Sequence, residues 1–296
     1  MKAATFAAVG REIAALTGSS CAPEPERSIG GGSIDACYFW SSAAGPLFVK
    51  VGARGAREDF AAEADGLDEL SRAQALRVPR VLASGTADEA AFLALEWIER
   101  GAGGEACEWA LGEGLAALHA VTAPRFGWRR NNTIGHTPQA NEWSADWTEF
   151  FRERRLRPQL ALAAQHGFAR LLSGRGERLL AALPALLAGH SARPALLHGD
   201  LWGGNWLASA DGEPVVFDPA VYFGDRETDL AMTHLFGGFS AAFYSAYEAV
   251  APLPPGAALR QQLYGLYHVL NHANLFGGGY AQQARELIDR LLAEAG

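Results

Sequence analysis

The spacing of apolar residues changes about a third of the way along the chain. The opening stretch, "MKAATFAAVGREIAALTG", repeats its apolar positions three and four apart and predicts an amphipathic helix. Residues 27 to 51 read as strands. In "RSIGGGSIDACYFW" glycines sit in a turn between two β-prone segments, "AAGP" makes a second turn, and "LFVKV" is a third strand. "REDFAAEADGLDELSRA" returns to helical spacing, with Phe60, Leu67 and Leu70 on one side. "RVPRVLASG" and "AFLALEWIE" read as two further strands. From "GGEACEWALGEGLAALHAV" onward the pattern is mostly helical, with Leu111, Leu115, Leu118 and His119 on the inner face of that first helix. The exception is 195 to 220, where "PALLHGD", "NWLAS" and "PVVFDPA" predict short strands and loops. "GAGG" at 101–104 is the expected boundary, so residues 1–100 form a strand-rich part and 101–296 a helical one. There is no internal repeat.

Composition narrows the class. Of 296 residues 49% are apolar, enough for a substantial core. The net charge of −8 argues against a nucleic-acid partner, and the short basic run "RFGWRRNN" is too isolated to reverse that. Arg11 and Glu12 interrupt the N-terminal segment where a signal peptide needs an unbroken apolar stretch. No uncharged apolar run reaches 18 residues, so no membrane span is expected. Cys21, Cys37 and Cys107 are odd in number and widely spaced, which fits neither a disulfide framework nor a zinc site and points to the reducing cytoplasm. Among 25 basic residues only Lys2 and Lys50 are lysines. A lysine kept inside "PLFVKVG" suggests a site that needs a compact ammonium rather than a forked guanidinium.

The densest chemistry lies in "LLHGDLWGGNWL", residues 196–207. Asp200 and Asn205 are five apart, and Asp218 follows in "VVFDPA". Asp, Asn and Gly are turn formers, and either pair alone reads as an Asx-rich turn between strands. The three together follow the kinase catalytic loop H-R-D-L-x-x-x-N with its later D-F-G Asp, here H-G-D-L-W-G-G-N and D-P-A. Asp200 is then the catalytic base. Asn205 and Asp218 are oxygen donors for Mg²⁺, a hard cation. Lys50 on the third strand and Glu63 on the next helix stand where a phosphate-anchoring pair is needed. Gly30, Gly31 and Gly32, with Ser33, occupy the turn where backbone N–H groups would cover the nucleotide, and backbone groups of Glu96 and Ile98 in "LEWIE" would meet adenine. His198 is assigned to holding the loop backbone. A G-x-x-x-x-G-K-[ST] run is absent, which excludes a P-loop NTPase at the motif level. His268 and His272 share a helix face, but Val269 stands where a zincin has Glu, so they read as packing residues.

With these residues assembled, the chain resembles the fructosamine kinase (ketosamine kinase) family, in the aminoglycoside-phosphotransferase-like branch of the protein-kinase-like fold. The resemblance rests on "GGSIDACYF", "FVKV", "DFAAEADGLDEL", "LALEWI", "FGWRRNNTIGHTPQANEWSADWTEFFRERRLRPQL", the catalytic loop and "VVFDPAVYFGDRETDLAM", and it covers about residues 5 to 290. It implies a two-lobe α+β fold with an antiparallel-sheet N-lobe and a mainly helical C-lobe. It also implies ATP, Mg²⁺ and phosphorylation of O3 of a ketosamine, leading to deglycation. Asp229 matches a position that props the catalytic loop, and Trp202 an aromatic beside the substrate site. Several relatives carry Cys where this chain has Ser33, so a redox-linked dimer through that position is not expected. A kinase for an aminoglycoside- or choline-like amine, and a nucleotide-binding regulator without activity, remain the alternatives. The residues do not distinguish fructose, ribulose and erythrulose, or protein-bound from free amines.

Overall fold

The computed structural model describes residues 2–30 and 36–295. Helix α1 (Ala3–Thr17) precedes strands β1 (Arg27–Ile29), β2 (Ala36–Ser42) and β3 (Gly45–Ala53), helix α2 (Arg57–Ala73), and strands β4 (Val81–Ala87) and β5 (Ala90–Glu96). Next come α3 (Glu105–Ala120), the hairpin β6 (Asn132–Ile134) and β7 (Thr137–Gln139), and helices α4 (Trp147–Phe151), α5 (Arg157–Ala163) and α6 (Ala169–Leu186). A widened π-helical turn at Arg152–Leu156 joins α4 to α5, and Ala164–Phe168 joins α5 to α6 across a kink at Gly167, φ 91°. Short strands β8 (Ala195–Leu197), β9 (Trp206–Ala208), β10 (Pro214–Val216) and β11 (Tyr222–Gly224) follow, then α7 (Glu227–Phe236), α8 (Ala241–Val250), α9 (Ala257–Phe276) and α10 (Gly279–Glu294). The expected order of an antiparallel sheet followed by helices is observed.

The chain forms two compact units. One contains the residues up to Gly103 together with Leu207–Pro219; the other contains Gly104–Trp206 and Ala220 onward. In the first unit the sheet runs β1-β2-β3-β5-β4, all antiparallel. The interior strand β5, "AAFLALE", is buried along nearly all its length, as a strand covered on both faces must be. Val9 and Ile13 of α1 pack with Trp40, Leu47, Val49, Val51 and Phe92. Full burial of a side chain of this kind contributes roughly 1.5–3 kcal/mol. "RVPRVLASG" becomes a strand only from Val81. Pro79 lacks the N–H a strand needs, and the Val81–Ala83 register shifts. The hairpin β9–β10 joins this unit through bridges from Arg77 to Val215 and from Arg100 to Ser209.

In the second unit α3 and α8 approach closely at Gly112, where a Cβ would lie 2.3 Å from the Phe243 carbonyl oxygen. The long helix α9 packs on α5, α7 and α10. Strand β11 pairs with β8, Tyr222 opposite Leu197 and Gly224 opposite Ala195, and so sets the backbone that enters the "HGD" segment. No helix among the described residues is long and apolar enough to cross a membrane.

Candidate active site

Lys50 sits in the middle of β3, in register with Cys37 of β2 and Leu93 of β5. Strand alternation turns Val49 and Val51 toward the α1 core and Lys50 to the opposite face. Glu63 comes three residues after Phe60 and four before Leu67, both buried, and therefore lies on the inner side of α2. The Lys50 Nζ is 2.8 Å from Glu63 Oε1 and 2.7 Å from Asp218 Oδ1. Lys50 is only 6% exposed. Burial alone disfavours its ammonium, but the charges and hydrogen bonds of Asp218 and Glu63 outweigh burial and push its pKa up. Asp218 is held in a left-handed backbone conformation, φ 56°, and its side chain is 40% exposed. The carboxylate is thus open to solvent on one side while it grips the lysine.

Gly30 lies at the end of β1 with open space around its Cβ position. Gly31, Gly32 and Ser33 lie outside the described residues. Glu96 ends β5; its N–H donates to the Arg80 carbonyl, and its carboxylate accepts from Arg80 Nε at 2.7 Å. Ile98 follows in irregular chain, half-buried.

The second unit holds Asp200 and Asn205. The Asn205 Nδ2 donates to the Asp200 carbonyl at 2.9 Å and to the Asp200 carboxylate at 3.3 Å, so its amide oxygen points away from Asp200. The Asp229 carboxylate accepts from the N–H groups of both His198 and Gly199 at 2.8 Å. His119 Nε2 is 3.1 Å from the same carboxylate, and its other ring nitrogen is 2.8 Å from Tyr247 Oη. Burial pushes the Asp229 carboxyl up, but these partners overcome it and hold it below the usual range. His198 Nδ1 accepts from the Asp200 N–H at 3.3 Å. The Trp202 indole lies over Gly204, where a Cβ would come within 2.2 Å of the ring.

Gly199 occupies the position that is Arg in H-R-D loops, and the geometry requires glycine. Its φ is +85°, and a Cβ there would lie 2.0 Å from the Ala220 carbonyl oxygen. Gly199→Ala therefore carries about 1–3 kcal/mol of backbone strain before the carbonyl is displaced. The expected result is a lower urea midpoint together with a loss of turnover. A variant with wild-type stability and rate would show that the loop can be rebuilt without the left-handed residue.

Other polar clusters have structural partners. His190, Asp225 and Glu227 bring ligand-type atoms within 4.8 Å of one another. However, Asp225 Oδ2 is already 2.5 Å from His190 Nε2 and accepts from Tyr264 at 2.6 Å, while Arg260 forks onto both oxygens of Glu227 at 2.9 Å. His268 is buried, which lowers its pKa to about 3, with His272 adding to the effect. Both histidines pack in α9, as their spacing suggests. His119 had a predicted place on its helix but no role; the link to Asp229 supplies one.

Comparison with known proteins places the chain in a family. A family model for fructosamine kinase matches residues 5–294. A candidate ketoamine kinase from Synechocystis sp. is 43% identical over 98% of this chain and 97% of its own length. The chloroplastic protein-ribulosamine 3-kinase of Oryza sativa subsp. indica is 41% identical over 90% of this chain and 78% of its own length. The crystal structure of a candidate fructosamine-3-kinase from Haemophilus somnus superposes with a TM-score of 0.89 over 98% of both chains, at 27% identity. An aminoglycoside phosphotransferase superposes at 0.60 over 98% of both chains with 15% identity, which speaks for the kinase-like fold alone.

Proposed function

The chain belongs to the fructosamine kinase family of ATP-dependent phosphotransferases, and from this we propose that it transfers the γ-phosphoryl group of ATP to O3 of a ketosamine. The observation that carries the reading is the pair of charged groups within the loop and strand motifs: Lys50 held by Glu63 and Asp218, and Asp200 held by Asn205 on a loop braced by Asp229. Lys50, kept charged by its carboxylates, anchors the nucleotide phosphates. Gly30–Gly32 and Ser33 cover them, and adenine is offered the Glu96 carbonyl and the Ile98 backbone. Asp200 orients the sugar hydroxyl and accepts its proton as the P–O bond forms. The Asn205 amide oxygen and the Asp218 carboxylate are hard oxygen donors that suit Mg²⁺, which when bound neutralises phosphate charge. Asp229 and His198 hold the loop, and Trp202 stands beside the acceptor. The division into a nucleotide lobe, 1–100, and a substrate lobe, 101–296, and action in the cytoplasm belong to the same reading.

The product explains the biology of such a step. A ketosamine carries its carbonyl at C2. Enolisation toward C1 gives an enaminol whose nitrogen expels the C3 phosphate; tautomerisation and hydrolysis then release the amine and a 3-deoxy dicarbonyl sugar. The protein thus reverses glycation by making the adduct labile. The name of the rice relative favours ribulosamines as acceptors. With ATP and Mg²⁺, ribulosyl- and fructosyl-lysine analogues should be phosphorylated, with free amine appearing afterwards. Kanamycin and choline are the controls: a higher kcat/KM on either than on every ketosamine would overturn the substrate assignment while leaving the kinase roles standing.

A further inference from the structure

The segment "NNTIGHTPQAN" folds into the interior. Asn132 is 9% exposed, Gln139 1%, Asn141 0%, and Arg155, from the π-helical turn at Arg152–Leu156, 0%. Polar side chains buried to this degree almost always have hydrogen-bond partners, and in this group only the Arg155 Nε lacks one. Here the bonds form a branched chain with a fixed direction. The Arg155 Nη2 donates to Asn141 Oδ1 at 2.7 Å, Asn141 Nδ2 donates to Asn132 Oδ1 at 2.8 Å, and Asn132 Nδ2 donates to the Val221 carbonyl at 2.9 Å. The second branch starts at Tyr267, whose hydroxyl donates to Gln139 Oε1 at 2.7 Å. The Gln139 Nε2 donates to Asn132 Oδ1 at 2.9 Å and to the Ala220 carbonyl at 3.1 Å. A guanidinium has no acceptor, so Arg155 at the head fixes which end of each amide faces onward.

Both branches end on the backbone of Ala220 and Val221, the residues just before β11. That backbone meets the catalytic loop. The Ala220 N–H donates to the His198 carbonyl at 2.8 Å, and the Ala220 carbonyl faces the bare α-carbon of Gly199. The next residue is Asp200. The His198–Gly199 backbone is therefore held on its N–H side by the Asp229 carboxylate and through its carbonyl by Ala220, which the amide chain holds in turn. Burial pushes the Tyr267 phenol up, with Arg155 opposing.

We propose that Gln139 is a positioning residue for phosphoryl transfer: by holding the Ala220 carbonyl it sets the His198–Gly199 backbone and hence the aim of Asp200. This rests on the kinase reading of Asp200. Misplacing a reacting group by about 1 Å costs up to about 100-fold in rate. Nucleotide anchoring is assigned to Lys50, outside this chain of bonds.

The test compares Gln139→Leu, Gln139→Glu, Tyr267→Phe and the double variant of Gln139→Leu with Tyr267→Phe with the wild type, each checked by circular dichroism and thermal unfolding. The rates read are ketosamine phosphorylation and the slower hydrolysis of ATP by water, so a wrong acceptor does not hide the effect. For Gln139→Leu the expected result is a kcat lowered about 10- to 100-fold with KM for ATP within about twofold of wild type. Gln139→Glu places a carboxylate against two acceptor oxygens. Its rate relative to wild type at the same pH should rise as the pH falls, because the protonated acid regains a donor. Tyr267→Phe should lower kcat several-fold but add less than about twofold to Gln139→Leu, since it acts through the same amide. A folded Gln139→Leu enzyme with wild-type kcat overturns the proposal. So does a Glu variant with no recovery in acid, which also decides the matter if the Leu variant does not fold. A wild type that turns over ATP but no ketosamine counts against the substrate reading, whatever the ratios among the variants.

Discussion

Asp200→Asn is expected to lower kcat by at least about 100-fold, the lower end of what a positioned general base contributes. The exchange is nearly isosteric. Asn205 Nδ2 donates to the Asp200 carboxylate at 3.3 Å and to its carbonyl at 2.9 Å, and an amide oxygen at position 200 accepts the first bond while the backbone keeps the second. The Asp200 N–H also keeps its bond to His198 Nδ1. What the variant loses is the capacity to take a proton. Thermal unfolding should therefore match the wild type, and KM for ATP should stay within about twofold, because an interaction made only in the transition state appears in kcat. Steady-state kinetics with a ketosamine acceptor read both constants. Near-normal turnover would remove Asp200 from the proton path and leave it, at most, an orienting group.

Lys50→Arg should be nearly as damaging despite keeping the charge. The ammonium lies 2.8 Å from Glu63 and 2.7 Å from Asp218 with 6% of the residue exposed, between strands whose facing residues are Cys37 and Leu93. A guanidinium is wider, planar and forked, so it must displace a carboxylate or part the strands. The expected loss in kcat/KM for ATP is on the order of 100-fold, the cost of a group shifted by about an ångström. Lys2→Arg, on the exposed residue just before α1, should stay within about 0.5 kcal/mol of wild type in stability and unchanged in rate. Equal effects of the two substitutions would dissolve the inference drawn from lysine scarcity.

The elements most legible in the sequence are those with a long, regular apolar period. Helices α1, α2 and α3 follow from their spacing, and β2, β3 and β5 from β-prone runs between turn residues. Lys50 stands out through the scarcity of lysine in the chain, and Glu63 only through its place on the helix that follows. The start of β4 is not legible, because "RVPR" has strand-like residues but a proline without a donor. The π-helical turn at Arg152–Leu156 is also hidden, since one extra residue per turn leaves no mark in the pattern. The amide chain of Asn132, Gln139 and Asn141 is hidden differently. Asn and Gln default to the surface, and only tertiary hydrogen bonds make their burial affordable. The run "RFGWRRNN" looks like a basic surface strip, yet Phe126, Trp128 and Asn132 are buried in the second unit. Its resemblance to a family segment was visible in the letters, but its place in the interior was not.

The hairpin at 207–219 gives the first unit a late-arriving part. A ribosome releases α1, the five paired strands and α2 long before it makes Val215, Ser209 and Asp218. Until then Lys50 can meet Glu63 but not its second carboxylate. Nearly the whole first half of the second unit, including α3 to α6, leaves the exit tunnel in the interval. The apolar core of α1 and the sheet is drawn from residues 6 to 94, whereas the lysine cluster takes one of its carboxylates from the 207–219 segment. The contact of Lys50 with both carboxylates is therefore completed only when the chain returns at 207–219.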